Sequence, residues 1–460
     1  MKNIRIALIT LYFTFLTTVS LAETMTGEGP NLGTNRITQY EIENELSLPQ
    51  IIEFGQRIFA TPFNKFDGYG DGPFYLSEGD SRELGNRPTL QHNGTFLRVN
   101  GLDAQTCLEC HFITKNSTIP ATLGIGGVAG ANANAIILPS IIDVADINPG
   151  DFNGRFANPP FLFGSGGVEL AAKEMTIRLQ ELKAEAIANP ETPITLSAKG
   201  VYFGTIVADY HGYLDTTYVE GIDEDLVVRP FGRKGEFMSV REFDLGAMQF
   251  HFGMQPVEVF GNSVDADNDG VVNEILEGEI SALHIFGTTR PKPFKERLTK
   301  KAEKGFKIFI LIGCAECHIP FLNTETKFLT YSSPEEETNP YDNIFYKVDL
   351  TQTSYFKPNN HGGIIVPLFA DLKRHDMGPG LAESFDLVDE VINGAFTTAR
   401  LWGVRDTAPY LHDGRALTLT DAILMHGGEA QNARDEFDAL SETRKKKLIS
   451  FLYSLRTPVE

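Results

Sequence analysis

Two short stretches, TCLECHF at residues 106–112 and GCAECHI at residues 313–319, share the pattern Cys-x-x-Cys-His. They contain all four cysteines of the chain, each pair followed at once by a histidine: Cys107, Cys110 and His111, then Cys314, Cys317 and His318. Disulfides are one alternative, but each cysteine pair is only three residues apart and is followed at once by histidine. A thioredoxin-like dithiol is the other, but no βαβ pattern surrounds the motifs. This spacing is the attachment pattern of c-type haem, with two thioethers and an adjacent iron-ligating histidine. The motifs therefore predict two covalently bound haem c groups.

The first 22 residues, MKNIRIALITLYFTFLTTVSLA, have the features of a secretory signal peptide. Lys2 and Arg5 precede an apolar run that ends in small residues at Ala22. A membrane anchor is the alternative, but the run is short for a bilayer span and four threonines interrupt it. We therefore expect cleavage near Ala22, a periplasmic location and no membrane span in the mature protein.

The composition is that of a packed globular protein with an acidic surface. Hydrophobic residues make up 42% of the 460 residues, and the formal net charge is −21. This charge excludes nucleic acid as a partner, because nucleic-acid binding needs a basic face. It favours solubility and would steer a basic redox partner toward the protein.

The pattern of elements predicts a mainly α fold: two cytochrome c-like haem lobes with loop-rich and small β insertions. Helical periodicity covers residues 168–189, and short strand patterns fill residues 194–222. The polar residues 326–343 predict an exposed loop. Two further helices are predicted by apolar residues at helical spacing: Ala302, Phe306, Phe309 and Ile310 before the second motif, and Leu448, Phe451, Leu452 and Leu455 near the C-terminus.

A proline-rich linker near residue 285 suggests the domain organisation. The signal peptide at residues 1–22 would precede an N-terminal c-type haem domain with insertions at residues 23–285. A C-terminal c-type haem domain would follow at residues 286–460.

Two C-terminal stretches carry a family resemblance: LKRHDMGPGLAE at 372–383 and TARLWGVRDTAPYLHDGRALTLTDAILMHGGEA at 398–430. They resemble the bacterial di-haem cytochrome c peroxidase superfamily, and within it most closely the di-haem oxidoreductase branch, also described as thiol-oxidoreductase-like. FDGYGDGP at residues 66–73 is similar to the same branch. The resemblance implies that one haem transfers electrons while the other reduces peroxide. Thiol chemistry finds no free cysteine here to support it.

The resemblance also implies a second axial ligand for the second haem, in the helix after His412, and the matching position is His426. The local sequence agrees, because Thr418 and Asp421 resemble an N-cap pair and Leu419 shares a helix face with His426. A histidine that merely caps the helix C-terminus is the alternative. Met425 points away from this face and is the weaker candidate.

The first haem departs from the family pattern. Relatives carry a histidine shortly after the first motif, whereas residues 112–135 contain none. The first iron is therefore either open or ligated from elsewhere. His251 is the first candidate for that ligand, with a distal base or a structural histidine as its other interpretations.

Peroxide cleavage needs an acid–base group near the iron. FGMQPVEVFG at residues 252–261 resembles the superfamily's distal segment, which implies Glu258 as the catalytic acid–base and Gln255 as the residue that positions peroxide. An ordinary surface glutamate is the alternative, and Glu169 is the second-choice acid.

Residues 265–279, DADNDGVVNEILEGE, begin like the calcium loop of an EF-hand. Asp265, Asp267 and Asp269 alternate ahead of Gly270, but position 12 is Leu276 instead of glutamate. Glu274 and Glu277 lie nearby. The loop predicts a calcium ion, with a solvated acidic turn as the alternative.

The other conspicuous side chains receive simpler interpretations. Trp402, the single tryptophan, is expected to pack in the core, with the electron relay between the haems that the resemblance implies for an aromatic residue as the alternative. His375 and His412 are expected near the second haem as hydrogen-bonding groups. Arg405 and Arg415 could pair with haem propionates or lie in solvent.

Together these features predict a periplasmic di-haem peroxidase that takes electrons from a soluble donor such as a small cytochrome c or a copper protein. An oxygenase or protein-modifying oxidase with an open first haem is one alternative. A non-catalytic di-haem electron carrier is the other.

Overall fold

A computed structural model describes residues 28–70, 105–109, 111, 158–382 and 392–458. The predicted signal peptide and Cys110 lie outside the described residues. Within the described ranges, no helix is both long and apolar enough to cross a bilayer.

The described chain is mainly helical. The α-helices α1 to α11 cover, in chain order, Gln39–Asn44, Leu48–Ala60, Ser165–Ala188, Val240–Ala247, Val257–Phe260, Glu277–Thr288, Lys300–Leu311, Leu350–Thr353, Leu419–Leu424, Gln431–Asp438 and Glu442–Leu452. A π-helical turn over Met248–Phe252 directly continues α4. Turns of 3-10 helix lie at Cys107–Glu109, Cys314–Glu316, Val404–Asp406 and Gly428–Ala430.

The strands are short and form small antiparallel sheets. Strands β1 to β12 cover Ile194–Ala198, Val201–Ala208, Leu214–Val219, Phe294–Lys295, Leu322–Asn323, Phe328–Ser332, Ile344–Asp349, Lys357–Pro358, Ile364–Val366, Arg374–Asp376, Ala395–Thr397 and Leu455–Arg456. Strands β1, β2 and β3 form a meander, and β5, β9 and β8 form the other three-stranded sheet of the described residues. The prediction of a mainly α fold with small β insertions is confirmed, whereas the two haem lobes stay a prediction.

The buried side chains form two hydrophobic cores. The larger joins α2, α3 and α6 to β2, and it also takes in β6, β9 and Trp402. It therefore contains residues from both sides of the predicted boundary at residue 285. The smaller core is built by α7, α9, α10 and α11.

A glycine lets the main helices of each core pack closely. A Cβ atom at Gly55 of α2 would overlap the carbonyl oxygen of Ala282 in α6. A Cβ atom at Gly305 of α7 would overlap the carbonyl oxygen of Lys447 in α11. Both helix pairs therefore cross at a distance that only glycine permits.

Two sequence expectations are wrong in detail. Ile310 is 46% exposed and Ile308 is buried instead. The core face of α7 passes through Gly305 and Phe309, and position 310 lies about 100° of helical rotation beyond Phe309. The predicted exposed loop contains β6, whose Tyr331 is buried. Its alternation spans only five residues of a polar segment, which is too short to identify a strand.

Candidate haem centres

The second Cys-x-x-Cys-His motif follows α7 directly. The helix ends at Leu311 with Ile312 as its C-cap, and Gly313 takes a left-handed conformation with φ of 89°, which turns the chain into the 3-10 turn that holds Cys314. The His318 amide donates to the Cys314 carbonyl at 3.0 Å, so the motif closes on itself. Helix end and glycine together place Cys314 against the smaller core, and the His318 ring lies 6.5 Å, centroid to centroid, from Phe309 of that core.

The imidazoles of His318 and His426 face each other, with ring centroids 6.5 Å apart. Helix α9 positions His426: the Thr418 hydroxyl accepts from the Asp421 amide at 3.1 Å and begins the helix as the sequence predicts. Metal–imidazole bonds are about 2.0 Å long, so two imidazoles on opposite sides of one iron have ring centres roughly 6 Å apart. The observed spacing fits an iron between the two rings.

Hydrogen bonds fix the tautomers of this pair. Nδ1 of His318 lies 3.0 Å from the carbonyl oxygen of Phe369, and Nδ1 of His426 lies 2.7 Å from that of Ala422. A carbonyl oxygen only accepts, so each Nδ1 carries the proton and each Nε2 keeps a free lone pair. Burial lowers the pKa of His318 to about 4 and also lowers the pKa of His426. Both rings are therefore neutral at pH 7, as metal binding requires.

The described part of the first motif has the same features. The His111 amide donates to the Cys107 carbonyl at 2.8 Å. Nδ1 of His111 lies 2.7 Å from the carbonyl oxygen of Pro160, which again leaves Nε2 free to ligate. Burial lowers the pKa of His111 to about 4, and the neighbouring His251 acts in the same direction.

Residues 240–252, α4 and the π-helical turn, form a wall beside this motif. Phe243 approaches His111 edge-on, with centroids 6.1 Å apart. Asp244 lies close enough to Cys107 for its charge to add to the effect of burial, which raises the pKa of that thiol. His251 sits in the π-helical turn. The wall therefore brings a carboxyl group and a second imidazole toward the first motif.

Asp244 is a further candidate acid–base group beside the first motif, and no sequence pattern indicated it. Its Oδ2 atom is buried without a hydrogen-bond partner among the described residues. Burial, with the nearby charge of Glu169, raises the pKa of this carboxyl well above its usual range. Its sequence context, VREFDLG, is that of an ordinary amphipathic helix and gives no signal for this role.

The predicted catalytic pair is engaged elsewhere. Glu258 accepts two hydrogen bonds from the buried guanidinium of Arg241, at 3.1 and 2.6 Å. Oε1 of Gln255 accepts from the Ala266 amide at 3.0 Å and therefore faces the acidic loop. The described contacts of these two side chains include neither His111 nor Cys107, and their catalytic roles stay predictions.

The second-choice acid, Glu169, lies inside a buried ion network. It contacts Nε2 of His284 at 2.9 Å and Nζ of Lys173 at 2.9 Å. Burial alone would raise its pKa, but His284 and Lys173 bring it to about 2. Lys173 supplies a positive charge within this network, so Glu169 is better explained as a structural group.

The acidic loop, residues 265–274, gathers four carboxylates. Oxygen atoms of Asp265, Asp267 and Asp269 lie within 4.8 Å of one another. Glu274 joins them: burial and the charge of Asp267 raise its pKa to about 10, and its Oε1 is buried with no partner in the described chain. Glu277 instead accepts from the Ser333 hydroxyl at 2.5 Å. Such crowding is typical of a cation site of oxygen ligands.

The acidic loop adjoins the wall through a short bridge. The side chain of Glu274 occupies the space where a Cβ atom of Gly68 would lie. Two residues on, the Gly70 amide donates to the Phe252 carbonyl at 3.0 Å, at the end of the π-helical turn. The loop and the segment that carries His251 are thus linked by residues 68–70.

The remaining predicted neighbours of the second motif have protein partners. His375 contacts Asp371 at 2.8 Å and Glu429 at 2.7 Å, and although burial acts in the opposite direction, the bond to Asp371 raises the pKa of His375. Both of its ring nitrogens are therefore occupied by carboxylates. His412 stacks on Phe396, with centroids 4.3 Å apart.

Trp402 and the two arginines also have local contacts. Trp402 is 3% exposed and packs near Phe356, with ring centroids 6.3 Å apart. Arg405 pairs with Glu296 at 3.0 Å, and Arg415 pairs with Asp413. Propionate pairing of either arginine stays a prediction.

The C-terminal part of the chain matches a known family. Residues 356–455 fit the family model described as "Di-haem oxidoreductase, putative peroxidase". The resemblance to the di-haem oxidoreductases is confirmed. The matched segment includes His375, His412 and His426 but neither Cys-x-x-Cys-His motif.

Two solved structures are distantly similar to the chain. Hydrazine synthase of Kuenenia stuttgartiensis, pressurised with 20 bar xenon, is 17% identical over 65% of this chain and 90% of that chain, with a TM-score of 0.29. A MauG-like protein associated with microbial copper homeostasis is 13% identical over 67% of this chain and 94% of that chain, with a TM-score of 0.27. No curated protein matches the sequence.

Proposed function

We propose that this protein is a periplasmic di-haem c-type oxidoreductase that reduces hydrogen peroxide to water with electrons from a soluble donor. The observation that carries the proposal is the facing pair His318 and His426, whose separation and tautomers suit one iron. The family match over residues 356–455 supports the same chemistry. The free thiols of Cys107 in the first motif and of Cys314 and Cys317 in the second support the attachment of one haem at each motif.

In this proposal the haems form two lobes, at residues 23–285 and 286–460. Cys107 and Cys110 attach the first haem and Cys314 and Cys317 the second, with His111 and His318 as proximal ligands. The bound haems would supply iron that stores electrons and an iron to which peroxide can bind. The neutral, carbonyl-anchored imidazoles hold Nε2 toward the iron position without further rearrangement.

His251 is our candidate for the sixth ligand of the first haem in the resting protein. His251 lies near enough to His111 for its charge to lower the pKa of that histidine, as the charge of His426 does for His318. The π-helical turn is an irregular single turn of the kind that is frequent at functional sites. A local shift of this turn would withdraw His251 and admit peroxide.

Reduction of one peroxide to two waters consumes two electrons and two protons. We assign Asp244 as a proton donor on the first side, because its buried Oδ2 has no partner among the described residues, its pKa is raised well above the usual range, and it lies close enough to Cys107 to affect that thiol. Glu258, implied by the family resemblance, would first have to leave its bidentate bond with Arg241. Asp244 therefore needs less rearrangement than Glu258 to act as an acid.

The direct test is the reaction of the fully reduced protein with hydrogen peroxide, followed by stopped-flow haem absorbance. We expect both haems to be reoxidised at two electrons per peroxide, and steady turnover when a reduced donor is supplied. Reoxidation no faster than in buffer without peroxide would contradict the proposed activity. The protein would then fit a non-catalytic electron carrier, the candidate that a firmly ligated His251 favours.

Electron paramagnetic resonance of the oxidised protein tests the sixth ligand separately. We expect two low-spin signals in the natural protein and one high-spin signal in His251→Ala. A high-spin signal in the natural protein would mean an open first iron, which leaves peroxide chemistry in place but removes His251 as its ligand.

We further propose that the acidic loop binds calcium through Asp265, Asp267, Asp269 and Glu274. The unpartnered oxygen of Glu274, in place of the missing glutamate at position 12, supports this ligand set. Calorimetric titration of the chelator-treated protein with calcium should give one site. Equal binding by a Glu274→Gln variant would contradict the role of Glu274.

A further inference from the structure

The helices beside the second motif carry a local charge opposite to that of the whole chain. The protein has a formal net charge of −21, yet residues 292–311 carry seven basic and two acidic side chains. Residues 442–447 add four basic side chains and one acidic side chain. Since α7 and α11 pack together in the smaller core, these two basic segments adjoin.

The basic side chains border an open groove of about 610 Å³. Lys301 of α7 and Lys445 and Lys446 of α11 line it, and Leu424 of α9 and Tyr453 contribute apolar surface. Leu424 is 37% and Tyr453 is 46% exposed. A groove with cationic edges and exposed apolar side chains has the composition of a protein-docking surface.

The positive charge of this groove is largely uncompensated. Lys445 lies 3.2 Å from Asp438 and 3.9 Å from Glu442, and Glu442 also lines the groove. Lys301 and Lys446 have no carboxylate at ion-pair distance within the part of the chain that the structure describes. Their ammonium groups therefore remain available to an acidic partner.

The groove lies next to the proposed second haem. Leu424 is the last residue of α9, and His426, two residues later, faces His318. Ala422 of the same helix is buried in the smaller core. A protein seated in the groove would thus be separated from the His318–His426 pair by little more than α9.

We propose that the groove between α7, α9 and α11 docks an acidic electron-donor protein that reduces the second haem. This inference rests on the proposed function. Charge complementarity indicates an acidic partner. The −21 charge of the whole chain favours basic proteins at long range. Within a Debye length of about 8 Å, however, the groove lysines dominate the interaction, and they attract acidic side chains. Each donor molecule loses one electron, so two donor molecules serve one peroxide.

A pair of probes that differ only in charge tests the inference. Mitochondrial cytochrome c is basic, and succinylation of its lysines makes it acidic. We expect the acidic form to bind the holoprotein and reduce its second haem at an ionic strength of about 0.15 M, where the groove lysines dominate, with K301E/K446E lowering the association rate about tenfold. The control K183E/K347E makes the same charge change on α3 and β7, and should alter that rate less than about twofold.

Two outcomes separate this inference from the function on which it rests. If K301E/K446E binds the acidic probe as well as the control does, the docking surface is wrong whether or not peroxide is reduced. If binding depends on the groove but the natural protein never reduces peroxide, the surface stands and the peroxidase proposal fails. Equal thermal unfolding of both variants shows that the comparison concerns binding alone.

Discussion

Three of the four proposed iron ligands are oriented by a main-chain carbonyl. Pro160 serves His111, Phe369 serves His318, and Ala422 serves His426. In every case the bond fixes the proton on Nδ1 and leaves Nε2 for the metal. The chain therefore prepares each imidazole for ligation through its backbone.

Replacing His426 tests the second haem at the scale of one residue. In His426→Ala the second iron should lose its sixth ligand, and its low-spin resonance signal should become high-spin. The exposed His211, changed to alanine, is the matched control and should leave both signals as they are. An unchanged low-spin signal in His426→Ala would assign the ligand to another group.

The two candidate acids can be ranked by a pair of substitutions. Asp244→Asn should lower peroxide turnover by roughly 10²–10⁴-fold, the usual effect of losing a general acid, whereas Glu258→Gln should cost less than about tenfold. Turnover with a saturating donor, after haem content is matched, is the measurement. The reverse order would return the acid–base role to Glu258.

At the scale of elements, the sequence predicts what is local. Thr418 and Asp421 cap α9 as expected, and the strands at residues 194–222 form a meander. The wall beside the first motif could not be predicted in this way. It brings His251 next to His111 across 140 residues, and a π-helical turn depends on tertiary packing instead of a local pattern. Asp244 was missed for the same reason.

Removal of calcium should loosen the acidic loop. Without a cation the carboxylates of Asp267 and Glu274 remain crowded and buried, so chelation should lower the unfolding temperature. Calorimetry with and without chelator measures the shift. In Glu274→Gln the shift should shrink, whereas Glu277→Gln, which alters the nearby carboxylate bound to Ser333, should keep it. No shift in the natural protein would contradict a cation site.

The two glycine crossings test the proposed lobes. Gly305→Ala and Gly55→Ala should each destabilise the protein by about 1–3 kcal/mol, because the added methyl group overlaps a carbonyl of the facing helix. Gly29→Ala is the control, since a Cβ atom there meets nothing within 4 Å. If the lobes unfold separately, each substitution should lower a different calorimetric transition. A single transition lowered equally by both would contradict two independent lobes.

At the scale of the whole molecule, a buried ion network connects elements that are distant in sequence. Glu169 and Lys173 of α3 meet His284 of α6, and Glu169 accepts from the Val240 amide at the start of α4. Lys173 also reaches the Thr330 carbonyl in β6. The network therefore joins the wall beside the first motif to the centre of the larger core.

This network should make stability depend on pH in the acid range. The pKa of Glu169 is about 2 in the folded protein, below its ordinary value of 4.5, so its contribution is complete above about pH 4.5 and is lost as the pH falls toward 2. Urea unfolding at several pH values measures this slope.

Glu169→Gln should remove that part of the acid dependence and cost roughly 1–3 kcal/mol at neutral pH, because Lys173 loses its 2.9 Å partner and keeps only Glu335, at 3.5 Å, as a carboxylate partner among the described residues. The exposed Glu181 on the same helix, changed to glutamine, is the control. An unaltered slope in Glu169→Gln would place the acid sensitivity elsewhere.

The carbonyl anchors of the three histidines have a consequence for how this protein can evolve. A partner side chain can be lost through one codon change, but a peptide carbonyl is retained whichever residue replaces Phe369, Ala422 or Pro160. Ligand orientation is thus inherited with the path of the backbone. The surrounding sequence is free to diverge, and selection can retune the chemistry at each iron without first having to rebuild its coordination.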